Sequence, residues 1–96
     1  MYNKKYRLTN IDEFNHKNPI YTNILGSICY LAYLNPGERG WFLAQYDPDD
    51  WRVMFPHRIH TSIVKDVEYD DNRVILTTEN TRFVFELIRS AGDEED

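Results

Sequence analysis

The sequence predicts a mainly β fold: a small barrel or sandwich of five to six strands, SH3-like or OB-like, with one short N-terminal helix. Three observations carry that reading. Turn chemistry recurs between short apolar runs, at Asn35-Pro36-Gly37, Asp47-Pro48-Asp49-Asp50, Asp70-Asp71-Asn72 and Asn80-Thr81. The last run alternates Phe83, Phe85 and Leu87 with Arg82, Val84 and Glu86, the period of a strand with one buried face. The chain of 96 residues carries seven Tyr, five Phe and two Trp, too many for a disordered chain and enough for one thin core. Closure is favoured because an open sheet of this size would expose apolar edges.

Residues 1–23 read as a polar lead. Within them, Thr9 and Asp12 resemble a capping signal, and Ile11 and Phe14 stand at helical spacing, so a short helix is predicted near 10–16. The β domain is expected over 24–89. Its opening, 24–34, fits either a helix started by Asn18-Pro19 or a strand after the Gly26-Ser27 break. The Pro-Gly turn that follows, and the run from Trp41 to Tyr46 beyond it, favour a hairpin. Trp51 to Phe55 is predicted as a short strand ended by Pro56. From His57 to Tyr69 the alternation slips, which predicts a bulge or kink near Thr61–Lys65. Arg73–Glu79 should pair with Arg82–Ile88, with Val74, Leu76, Phe83 and Phe85 as core. An acidic tail, expected to be disordered, occupies 90–96.

The net charge of −5 is uneven. Lys4, Lys5 and Arg7 open the chain, Asp93 to Asp96 close it, and the body between holds eight basic against twelve acidic residues. Such a body lacks the basic stripe of a phosphate-tracking protein. No apolar run exceeds the seven residues Ile28–Leu34, so no membrane span is expected, and no signal peptide is recognisable. The single cysteine excludes an internal disulfide and fits a cytoplasmic location.

Candidate chemistry is sparse. His57 and His60 would point to opposite faces of a strand, and Asp47, Asp49 and Asp50 lack the glycine and glutamate of a calcium loop, so no metal is expected. Neither a phosphate cradle nor a dinucleotide motif occurs, so no cofactor is expected. Cys29 lies in the most apolar stretch, where a thiol is inert. Ser62 follows His60 by two residues without a nucleophile turn, leaving only a residual hydrolytic reading; an enzyme is not expected. The stretch from Trp51 to His60 interleaves aromatic rings with Arg52, Arg58, His57 and His60. It suits a protein interface, a single-strand nucleic-acid surface, or a plain core with ion pairs. With Ile59 inward, Arg58, His60 and Ser62 face outward.

Leu34-Asn35-Pro36-Gly37-Glu38-Arg39-Gly40-Trp41-Phe42, then Arg58-Ile59-His60-Thr61-Ser62-x-Val64, then Thr78-x-Asn80-Thr81-x-Phe83 together resemble small uncharacterised single-domain proteins of bacterial phages and mobile elements. In those, a GER hairpin precedes an hTSxV strand and a TxNTxF/Y hairpin. The resemblance spans 34–85, and Phe83 stands where tyrosine is the more usual residue. It implies an accessory protein of mobile DNA and assigns no residue a role. The function expected is a non-catalytic protein-binding module that modulates a host protein such as a defence nuclease. Its interface would use Trp51, Arg52, Phe55, Arg58, His60, Glu38 and Arg39. The alternative is a nucleic-acid-binding small barrel using 51–60 with Lys4, Lys5 and Arg7.

Overall fold

The computed structural model describes residues 4–14, 21, 24–45 and 57–88. Six strands hold most of them: β1 (Tyr6–Glu13), β2 (Ile28–Tyr33), β3 (Arg39–Gln45), β4 (His57–Tyr69), β5 (Arg73–Thr78) and β6 (Thr81–Leu87). Each pairs antiparallel with its neighbour in the chain, and β6 returns to β1 to close a barrel. Pairing in chain order throughout is an up-and-down arrangement. This corrects the OB-like expectation, because that fold runs its strands in Greek-key order.

Closure depends on irregular pairing at four places. Thr9 is an extra residue in β1 opposite β6, and Ala32 is one in β2 opposite β3. β4 carries two, one between His60 and Ile63 opposite β3 and one at Lys65 opposite β5. Each extra residue bends its strand and shifts the inward parity by one. The inward positions of β4 accordingly run Ile59, Thr61, Val64 and the half-buried Val67. The slip expected near Thr61–Lys65 is therefore present, as two bulges.

Over Asn10–Glu13 the predicted helix near 10–16 gives way to strand, since these residues pair with Thr81–Val84 as the end of β1, and 15 and 16 lie outside the described residues. Ile11 and Phe14, the pair behind that reading, stand three apart but do not share an environment: Ile11 packs against the core and Phe14 is exposed. Phe14 lies at a bend, its N–H donating to the Asn80 carbonyl at 2.8 Å and extending the β1–β6 ladder. The barrel thus takes in β1 from Tyr6, and the helical Tyr21 and Ile24 pack into its core. The ambiguous segment 24–34 becomes strand from Ile28, after Gly26 turns the chain at a φ of 88°. The expected turn at 47–50, strand at 51–55 and tail at 90–96 lie outside the described residues.

Phe42, Phe83 and Phe85 fill the barrel, each 0% exposed. Phe42 meets Phe83 and Phe85 edge-on at 5.5 and 5.2 Å, and Tyr21 meets Phe83 edge-on at 5.1 Å. Such edge-to-face contacts add about 0.5–1.5 kcal/mol beyond burial. The four residues predicted as core, Val74, Leu76, Phe83 and Phe85, are all buried. Near the β5–β6 turn the interior becomes polar but paired. Thr78 donates its hydroxyl to the Thr81 carbonyl and accepts the Thr81 N–H, both at 3.1 Å. Among the described residues no helix is long and apolar enough to cross a membrane.

Candidate interaction surface on β2, β3 and β4

Strand parity divides β3 between two environments. Gly40, Phe42 and Ala44 are buried, so Trp41, Leu43 and Gln45 take the outer face, where they are half-buried. Register carries that face across two neighbours. Tyr30 of β2, Leu43 and Arg58 of β4 form one cross-strand row, and Tyr33, Trp41 and His60 form the next. Arg58 reaches diagonally between the rows, its guanidinium carbon 4.4 Å from the centroid of the Trp41 ring. Arg58 and His60 are exposed.

The hairpin joining β2 and β3 frames this wall. Gly37 turns it at a φ of 91°, and the Gly37 N–H donates to the Val64 carbonyl at 2.8 Å. The Tyr33 hydroxyl donates to the Glu38 carboxylate at 3.0 Å and accepts from the Asn35 amide at 3.1 Å. The exposed Tyr33 ring is thereby tied down beside Trp41. On the opposite wall, Arg73, Glu86 and Arg7 share one row, and Thr77, Arg82 and Asp12 another. There, opposite charges lie side by side along the registers, whereas Arg58 sits among rings and Leu43.

Of the residues predicted for the interface, Arg58 and His60 fall on this wall, and the exposed Glu38 and Arg39 border it. Trp51, Arg52 and Phe55 lie outside the described residues. Tyr30, Tyr33, Trp41 and Leu43 were not among the predicted site residues. The signal for two of them was available, because burying Phe42 and Ala44 obliges Trp41 and Leu43 to face outward.

The groups considered for reactivity have structural surroundings. The Ser62 hydroxyl donates to Thr78 Oγ1 at 2.9 Å and accepts the Asn80 N–H at 3.3 Å, so its hydrogen bonds join β4 to the β5–β6 turn. Burial pushes the Cys29 thiol from 9.0 up to about 12, far from a thiolate at neutral pH. Among the described residues no group of three His, Cys, Asp or Glu side chains is placed to hold a metal ion. Comparison with protein-family models, curated proteins and solved structures returns no match.

Proposed function

We propose that the protein is a non-catalytic binding module that docks a protein partner on the outer wall of β2, β3 and β4. The observation carrying this reading is Arg58 stacked on Trp41 beside the tethered Tyr33 ring. Trp, Tyr and Arg are the residue types that dominate the energetic centres of protein interfaces. A stacked arginine and a tied tyrosine also lose little side-chain freedom on binding. Within the small barrels the fold reads as SH3-like, supported by closure in chain order. The likeness of 34–85 to phage and mobile-element proteins supports a cytoplasmic accessory role, modulating a host protein such as a defence nuclease.

The test is affinity capture from a lysate of the native host, with wild type and Leu43→Lys as parallel baits after nuclease digestion. A protein retained by wild type and lost by Leu43→Lys supports the reading; equal retention by both removes it. A second reading has one observation in its favour, since rings beside guanidinium groups also stack unpaired bases. The acidic body weighs against it, because a strand-tracking surface needs more cations than Arg39 and Arg58 supply.

A further inference from the structure

We infer that the group this wall captures is a carboxylate of the partner protein, flanked by apolar side chains and seated on Arg58. The inference rests on the wall being the interface. A guanidinium lying over a ring keeps its N–H donors in its own plane, clear of the ring, in the fork that matches a carboxylate. Arg58 is exposed, and among the described residues it forms no ion pair. Among the described residues, the rows that Arg58 and His60 share with β3 and β2 hold no carboxylate. Among the described residues, the donors of Arg58 are therefore unspent.

The surroundings of Arg58 select against a polyanion. Leu43 and Tyr30 share its row and offer apolar contact on the β3 side. Further along β4 stand the exposed Lys65, Asp66 and Glu68, together net negative, which disfavours a chain of phosphates running along the strand. One carboxylate set among apolar groups fits both neighbours. A phosphate backbone fits only the cations Arg58, Arg39 and Lys65.

Panning a random-peptide phage library against the immobilised full chain tests this, with Arg58→Gln and Leu43→Lys as parallel targets. Wild type should enrich peptides with Asp or Glu next to Leu, Phe or Tyr, and Arg58→Gln should bind them about tenfold or more weakly. Should Arg58→Gln melt early, Arg58→Lys carries the same test, because lysine keeps the charge without the planar fork. Peptides kept by Arg58→Gln but lost by Leu43→Lys overturn the carboxylate and leave the wall as the interface. Peptides kept by both variants, or no enrichment at all, overturn both. Displacement of bound peptide by a thymidine oligonucleotide of about twenty nucleotides, lost in Arg58→Gln, assigns the site to nucleic acid and overturns the inference.

Discussion

Ser62 on β4 donates its hydroxyl to Thr78 on β5 across 2.9 Å, and Thr78 in turn pairs with both backbone groups of Thr81. Three strands are thus locked by hydroxyls at the end of the barrel where the hydrocarbon core stops. Thr78 is 1% exposed, so water cannot replace a lost partner there.

Thr78→Val should cost about 1–3 kcal/mol, because it leaves the Thr81 N–H and the Ser62 hydroxyl without their acceptor. Ser62→Ala, at a half-buried position, should cost about 1 kcal/mol. A urea-denaturation double-mutant cycle should show coupling of at least about 0.5 kcal/mol. Simple additivity means the hydroxyls act independently.

Gly40 tests close packing. A Cβ built there would lie 2.8 Å from the Tyr33 carbonyl oxygen, 3.0 Å from Val64 Cγ2 and 3.2 Å from Thr61 Oγ1. The first of these is backbone and cannot turn aside. Gly40→Ala should therefore destabilise by about 1–3 kcal/mol despite removing a flexible residue from a strand. An unchanged melting temperature would mean β2 and β3 can separate there at no cost.

Phe85 is the central core residue to remove, with Phe42 edge-on at 5.2 Å and Phe83 stacked at 6.2 Å. Phe85→Ala should cost about 3–5 kcal/mol, much of the total stability of a domain this size. The cooperative thermal transition should be lost or fall steeply. A melt within a degree or two of wild type would contradict the burial of this face.

What could be read in advance follows strand regularity. β5 and β6 alternate without interruption, so Val74, Leu76, Phe83 and Phe85 were readable as core from spacing alone. β4 revealed its slip because in a regular strand Ile59 and Val67 share a face only if Lys65 joins them on it. β1 misled because Ile11 and Phe14, three apart, imitate a helical period although only Ile11 packs against the core. Tyr21 and Ile24 are helical, three apart and both buried, a pairing that the polar residues around Tyr21 hid. At the interaction wall, Arg58 and His60 were readable by parity from Ile59. Their meeting with Trp41 was not, because it depends on the β3–β4 register, which a bulge sets.

Stability should also report the buried thiol. Cys29 ionises near 9.0 when unfolded and at about 12 when folded, so between those values the unfolded chain binds fewer protons. Stability contributed by the neutral thiol is whole below about pH 9 and declines as pH rises toward 12. Burial raises Tyr6 and Tyr21 too, adding the same sign above 10.0. Urea midpoints at about pH 8 and about pH 10 should therefore fall for wild type and fall less for Cys29→Ala. Equal falls would assign the dependence to the tyrosines alone.

Arg58 separates stability from binding. Its stack on Trp41 is exposed, and an exposed cation–π contact contributes about 0.5–1 kcal/mol. Arg58→Ala should therefore lower folding stability by no more than that. A partner that uses the wall should lose about 2 kcal/mol or more of affinity, the scale of an interface hot spot. Ionic strength then identifies the kind of partner. A protein partner should weaken only modestly between about 50 and about 200 mM salt, whereas a nucleic acid held by several phosphates should weaken by orders of magnitude. If Arg58→Ala instead lowers stability strongly and leaves binding intact, its stack is a structural clamp between β3 and β4. The partner surface would then lie with Glu38 and Arg39 at the tip of the β2–β3 hairpin, where Glu38→Gln and Arg39→Gln become the variants that decide.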